Sequence, residues 1–397
     1  MDTEASGDLR MKVLQIGSFS GNVGDIANHY GFRNWFQGLL GEIQWDEFEI
    51  RNVYRKNVAF DDNFVAIANQ YDLIVVGGGN FFELWVDSSP TGTSISIEIE
   101  VFKKIKVPIF FNALGVDDGM GCSDESLAKF TNFLEILTSS KQYLVSVRND
   151  GAMGTLRNRI SNNPMLDKVL PLPDGGFFVN LDKLEKDIAE NDHENTQITI
   201  GINLAGDMLE TRFPGGINGY DYSGFISEFT ETLAEMWNKN KLIKFIFFPH
   251  IYSDLKVYAD ILSRLPDACR RENVKVASYD TNVNFQGTLF SEYSKCTLIL
   301  GMRFHANVVA IANKIPVIGL YSYKQIKELF YELGIKEKIV DVRQIGFKNE
   351  LLRKCNIVIE NSSISRDESC NILDVVTKKR DLIAPRVVEW LREHKLK

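Results

Sequence analysis

The segment Thr297-Leu-Ile-Leu-Gly-Met-Arg-Phe-His-Ala306 places a glycine, an arginine and a histidine between a short apolar run and a helical stretch carrying Val308, Val309, Ile311 and Ala312. Such a run, closed by glycine and followed by a 3.6-residue period, reads as strand, turn and helix. Arg303 then supplies a fixed positive charge, His305 a titratable donor, and the helix start backbone N–H groups aimed the same way. Together they make a site for an anion. Lys324, just past the next strand in Tyr321-Ser-Tyr-Lys, could add a second cation.

Three further strand ends carry candidates. Phe245-Ile-Phe-Phe-Pro-His250 sets a histidine beyond an apolar strand with Asp254 four residues on, and a hydrogen bond between them would fix the imidazole tautomer and raise its pKa. Leu144-Val-Ser-Val releases Arg148 beside Asn149 and Asp150. Its guanidinium could grip a carboxylate or phosphate with paired donors, or form a surface ion pair with Asp150. Pro171-Leu-Pro-Asp-Gly-Gly176 offers Asp174, either to orient that arginine or to cap the next turn.

The glycine-rich turns are less specific. After the first strand, Gly17-Ser-Phe-Ser-Gly-Asn-Val-Gly-Asp25 leads into an apolar helix, with Asn22 and Asp25 near its cap. The spacing departs from GxGxxG, and Asp25 would repel a diphosphate. A carboxylate accepting sugar hydroxyls fits it better than a dinucleotide. Gly77, Gly78 and Gly79 form either a ligand-facing loop or a tight packing corner. Leu114-Gly-Val-Asp-Asp118 reads as an acidic rim or a solvated loop.

These turns need strands and helices to hold them. Apolar runs at Lys12–Gly17, Asp72–Val76, Val107–Asn112, Tyr143–Val147 and Lys168–Leu172, then at Gln197–Leu204, Lys244–Phe248, Val274–Tyr279, Thr297–Gly301 and Pro316–Tyr321, are each followed by a helical-period stretch. Repeated βα units of this kind build parallel sheets, which bind ligands at the carboxyl ends of their strands. The polar stretch Leu181–Thr196 divides the two sets. The expected architecture is α/β, with two doubly wound, Rossmann-like domains facing across a cleft. A tail covers 1–10, the first domain 11–185, a linker 186–196, the second domain 197–345, and a helical segment 346–397 packs back on the first domain.

Composition narrows the class. A chain of 397 residues with 44% hydrophobic content suits two globular domains, and a net charge of −8 argues against nucleic acid. Cys122, Cys269, Cys296, Cys355 and Cys370 are widely spaced and odd in number, as expected of reduced thiols in the cytoplasm. No ligand spacing suggests a metal. The run Val13–Ile16 is too short for a signal or a membrane span. Lys378, Lys379, Arg380, Arg386, Arg392, Lys395 and Lys397 decorate a helix that also carries Val387, Val388 and Trp390. It either packs on the protein itself or gives peripheral contact with the inner face of the cell membrane.

In their order, Gly-Asn-Val-Gly-Asp25, Gly77-Gly-Gly, Leu114-Gly-Val, Ser146-Val-Arg148, Pro173-Asp174, His250 with Asp254, and Gly301-Met-Arg-Phe-His-Ala306 with Tyr321 and Lys324 resemble the polysaccharide pyruvyl transferase family over about Lys12 to Tyr331. The sequence departs from the family pattern at Arg148-Asn-Asp and Asp174-Gly-Gly, while the arginine and both aspartates remain. The resemblance implies a GT-B-like pair of domains and transfer of pyruvate from phosphoenolpyruvate, a co-substrate used without a further cofactor, to a galactose or N-acetylhexosamine as a ketal. The acceptor would be a sugar or lipid-linked oligosaccharide in cell-surface glycan synthesis.

On that reading Arg303 and the helix start hold the phosphate and Arg148 the carboxylate, or the reverse, with Lys324 assisting. His305 delivers the proton to the methylene carbon, and His250 or Asp25 helps deprotonate or orient the acceptor hydroxyls. Competing readings are a GT-B glycosyltransferase or nucleotide-sugar epimerase using a UDP-sugar, and a non-catalytic glycan-binding protein.

Overall fold

The computed structural model of the protein describes residues 10–161, 163–181, 197–217 and 219–397. Residues 1–9 of the expected tail and the expected linker at 186–196 lie outside them. The chain divides into two units: the first comprises residues up to Phe19, Phe32–Asp174 and Lys379–Lys397, the second Ser20–Gly31 and Gly175–Lys378. The division after Asp174 falls ahead of the polar stretch, and two helices, Val23–Leu40 and Ser362–Glu393, contribute residues to both units.

The first unit contains β1 (Met11–Gly17), β2 (Ile43–Glu49), β3 (Leu73–Gly77), β4 (Phe82–Glu83), β5 (Ile109–Leu114), β6 (Val116–Asp117), β7 (Tyr143–Val147) and β8 (Leu170–Pro171). Six of these form a parallel sheet in the order β2-β1-β3-β5-β7-β8, and β4 pairs with β6 apart from it. Consecutive strand residues enter different apolar layers, as when Leu73 and Val75 join Val13, Phe32, Phe36 and Phe110 while Ile74 and Val76 join Ile16, Ile109 and Phe111. Burial on both faces explains why the central strands are continuous apolar runs.

In the second unit, β9 (Thr199–Asn203), β10 (Lys244–Phe247), β11 (Val274–Val276), β12 (Leu298–Gly301), β13 (Val317–Tyr321) and β14 (Ile339–Asp341) form a parallel sheet ordered β11-β10-β9-β12-β13-β14. The chain winds outward from β9 through β10 to β11, then returns to β12 on the other side. The order therefore reverses between β9 and β12, where doubly wound sheets bind ligands at their strand ends.

The basic C-terminal helix packs on the protein. Val387, Trp390 and Leu391 are buried with Val13, Phe36 and Phe110, and Trp390 Nε1 donates to the Lys141 carbonyl at 2.8 Å. Among the described residues no helix is long and apolar enough to cross a membrane.

Candidate functional site

In the second unit, Asn203 at the end of β9 bridges the reversal point. Its Oδ1 accepts the Arg303 backbone N–H at 2.9 Å and its carbonyl accepts from Met302 at 3.0 Å. These bonds hold Arg303 in an extended conformation (φ −94°, ψ 149°) as the residue before helix Phe304–Ala312, whose first turn has no side-chain cap. His305 lies in that first turn and is buried. Fixing strand end and helix start together is what turns the Gly301-Met-Arg-Phe-His sequence into a rigid presentation of two chemical groups.

Arg303 is tightly partnered. Its Nε donates to Asp254 Oδ2 at 2.9 Å, and Nη2 donates to Asp254 Oδ1 at 2.5 Å and to Asp207 Oδ1 at 2.9 Å. Asp254 is fully buried and also accepts the backbone N–H groups of Gly206, His250 and Ile251 at 2.9, 2.9 and 3.2 Å. Burial alone would lower the arginine's pKa, but Asp254 and Asp207 outweigh it and the pKa is raised. Arg303 is a permanent cation.

The expected His250–Asp254 hydrogen bond forms through the wrong atoms for tautomer control. The carboxylate takes the His250 backbone N–H, while the ring sits edge-on to Phe290 with Nε2 3.3 Å from the Tyr293 hydroxyl. The His250 pKa is pushed well below its ordinary value, first by burial and then by Arg303 and His305, rather than raised. His250 is therefore neutral near pH 7, and its Nδ1 is buried with no hydrogen-bond partner. It can orient a ligand but is a poor proton donor.

Helix Val23–Leu40 joins this group. The Val23 N–H donates to the His250 carbonyl at 3.1 Å, and Asn22 Oδ1 accepts from Gly24 at 3.0 Å, capping the helix as expected. Gly24 lies directly on His305, since a Cβ there would come within 2.7 Å of Nδ1. Asp25 is buried in the same turn. Lys324, half-buried, opens helix Lys324–Glu332, and Ser322 just before it accepts from Arg212 Nη1 at 3.1 Å. Contacts thus link the surroundings of Asn22, His250, Arg303, His305 and Lys324 within one unit.

In the first unit, Arg148 is 5% exposed; its Nε donates to Asp150 at 2.7 Å and its Nη1 lies 3.7 Å from Asp174. The ion pair with Asp150 is buried, not on the surface. Asp174 stands beside the arginine as a second, more distant carboxylate. The strand that delivers Arg148 is matched to an irregular neighbour. Ala113 has a left-handed φ of 45°, and Ser146 Oγ accepts its N–H at 2.7 Å while donating to the Phe111 carbonyl at 2.9 Å. Ser146 and Arg148 of one short motif therefore have separate tasks.

The triple glycine closes a packing corner. Gly78 has φ 89°, while side chains at Gly77 and Gly79 would strike the Asn112 carbonyl and the Phe81 ring at 2.6 Å. All three are buried.

The sequence model of the polysaccharide pyruvyl transferase family matches residues 22–324, from Asn22 to Lys324. The chain belongs to that family. No curated protein matches it. Among solved structures it is similar to an α,α-trehalose-phosphate synthase (UDP-forming) from Burkholderia vietnamiensis, with TM-score 0.54, 11% identity and coverage of 96% of this chain and 97% of that one. A glycosyltransferase from Rickettsia africae gives TM-score 0.54 at 11% identity, covering 97% and 99%. S. aureus MnaA with UDP gives 0.51 at 11%, covering 90% of each chain. At such identities the likeness is one of fold, and the fold is GT-B-like.

In this pyruvyl transferase family member, sequence reading missed Arg212, Asp207 and Glu83. Arg212, 6% exposed, shares Asp207 with Arg303, though its short helix Leu209–Arg212 carries no periodic signal. Glu83, at the end of β4, pairs in register with Asp117 and hydrogen-bonds the Ser94 hydroxyl. Burial, reinforced by Asp117 and opposed by Ser94 and Arg148, pushes its pKa up to about 7. The nearby Asp150 is likewise raised, by burial against the pull of Arg148. A two-residue strand gave no pattern from which to find Glu83.

Proposed function

We propose that the protein transfers pyruvate from phosphoenolpyruvate to two hydroxyls of a sugar, a galactose or an N-acetylhexosamine, forming a ketal. The observation that carries this reading is the rigid presentation of Arg303 and His305 at the start of helix Phe304–Ala312. A permanent cation, the start of a helix and an imidazole suit a small dianion that must also receive a proton. The family match supports the transfer chemistry.

In this account Arg303 and the helix start hold the donor anion, and Lys324 adds charge. His305 protonates the methylene carbon as the first sugar oxygen bonds the adjacent carbon, and the imidazole takes up the proton that this hydroxyl gives up. The second hydroxyl then displaces phosphate at that carbon, and its proton leaves with the phosphate. Neutral His250 and buried Asp25 orient the acceptor hydroxyls.

The test is to incubate the protein with phosphoenolpyruvate and a panel of galactosides and N-acetylhexosaminides, following phosphate release and ketal formation by mass spectrometry. Phosphate release coupled to a pyruvylated sugar supports the reading. Turnover of UDP-sugars, with none of phosphoenolpyruvate, would replace it with a glycosyltransferase or epimerase.

A further inference from the structure

Two guanidiniums in the second unit converge on one carboxylate oxygen. Arg303 Nη2 donates to Asp207 Oδ1 at 2.9 Å, and Arg212 Nη2 lies 3.4 Å from the same atom. Arg212 is held in place on its other edges. Its Nε donates to the Asp207 carbonyl at 3.0 Å, its Nη1 to Ser322 Oγ at 3.1 Å, and its guanidinium carbon lies 5.5 Å from the centre of the Tyr323 ring.

The two carboxylates that balance these cations differ in kind. Asp254 is fully buried and fixed by three backbone N–H groups as well as Arg303. The Asp207 side chain is 37% exposed and sits just before Met208, which has a left-handed φ of 52° that favours glycine. Two arginines against two aspartates leave no net charge, yet removing Asp207 alone leaves one positive charge beside the start of helix Phe304–Ala312. Asp254 cannot leave without stranding the largely buried charge of Arg303. The Asp207 side chain, in contrast, already reaches solvent.

We propose that Asp207 occupies the seat of the substrate's carboxylate, and that an incoming anion replaces it on Arg303 and Arg212, so that Arg212 is a second anion-binding arginine. The ligand class is a small dianion whose carboxylate sets one oxygen where Asp207 Oδ1 sits, between the two guanidiniums. The choice of phosphoenolpyruvate as probe rests on the function proposed above; the exchange itself does not. Because Asp207 and the ligand compete for the same donors, the measured affinity is the intrinsic affinity reduced by the fraction of molecules in which Asp207 has left.

The experiment is calorimetric titration of the full chain with phosphoenolpyruvate and, separately, with inorganic phosphate, using wild type, Asp207→Asn and the double variant Asp207→Asn with Arg212→Lys. Asp207→Asn keeps the side-chain shape at a partly exposed position, so folding is checked but not expected to suffer. Exchange predicts that Asp207→Asn tightens phosphoenolpyruvate binding by about tenfold or more, and that adding Arg212→Lys reverses most of the gain. Unchanged or weaker binding by Asp207→Asn overturns the proposal, because Asp207 would then be positioning Arg303. If phosphoenolpyruvate binds none of the proteins while phosphate binds Asp207→Asn more tightly than wild type, the exchange stands and the donor assignment falls.

Discussion

Gly24 lies in contact with His305, and no side chain larger than hydrogen fits between them. A Cβ built on Gly24 would stand 2.7 Å from His305 Nδ1 and 2.8 Å from its Cβ. The clash with Cβ cannot be relieved by rotating the ring, so the helix start or the histidine must shift. Gly24→Ala should lower turnover by about a hundredfold, the scale of a misplacement of about 1 Å. Alanine also gains up to about 1 kcal/mol of helix propensity over glycine, so stability should change little. Turnover near the wild-type value with an unshifted melt would show that His305 placement is not critical.

Removal of the imidazole separates the two histidines. His305→Ala should lose about a hundredfold or more in kcat while phosphoenolpyruvate binding changes little, the pattern of a group that acts in the transition state. His250→Gln, at a ring that burial keeps neutral, should affect acceptor KM more than kcat. Steady-state phosphate release checks both, and equal kcat values for wild type and His305→Ala would remove His305 from the chemistry.

Asp254 anchors the site. Asp254→Ala strips Arg303 of its buried partner and leaves the N–H groups of Gly206, His250 and Ile251 without their acceptor. Losing one member of a buried pair costs about 3–5 kcal/mol. Equilibrium urea unfolding, monitored by a probe in the second unit, should register that loss. A change below about 1 kcal/mol would mean Arg303 finds another partner.

Glu83 should make stability depend on pH. Its folded pKa of about 7 lies above the ordinary carboxylate value, so folding favours the protonated form. The stability this contributes is complete below about pH 4.5 and is lost as pH rises through 7, with a loss on the order of 3 kcal/mol at most. Glu83→Gln mimics the protonated acid, so its melting temperature should match wild type near pH 5 and exceed it increasingly towards pH 8. His250, whose pKa is depressed, acts in the opposite sense by losing stability as pH falls, which is why the difference between variant and wild type is the quantity to follow. A difference that is flat from pH 5 to 8 would mean Glu83 titrates normally.

The central strands and the Arg303-His305 turn were legible because both depend on local sequence. A strand buried on both faces must be apolar throughout, and a strand handing over to a helix must release its polar residues at the turn. The edge strands β2 and β14 were not legible. Ile43-Gln-Trp-Asp-Glu-Phe-Glu49 buries fully only Ile43, and Ile339-Val-Asp341 is three residues long; edge strands are kept short or charged for solubility.

Within the site, sequence proximity suggested that His250 and Asp254 interact but could not say through which atoms. The carboxylate at the start of helix Asp254–Leu262 faces the backbone of the preceding turn, which takes it away from the imidazole. Arg212 and Asp207 meet Arg303 from 91 and 96 residues away, respectively, and nothing in their neighbourhood marks them.

Thermal melting in the presence of donor candidates tests the central claim most directly. Wild type and Arg303→Gln, each compared with its own ligand-free melt, would be titrated with phosphoenolpyruvate and with UDP-sugars. A ligand at about a hundred times its Kd adds roughly 2.7 kcal/mol of stability, a readily visible shift. The account predicts stabilisation of wild type by phosphoenolpyruvate, little or none for Arg303→Gln, and no effect of UDP-sugars on either. Stabilisation of wild type by a UDP-sugar alone would contradict it.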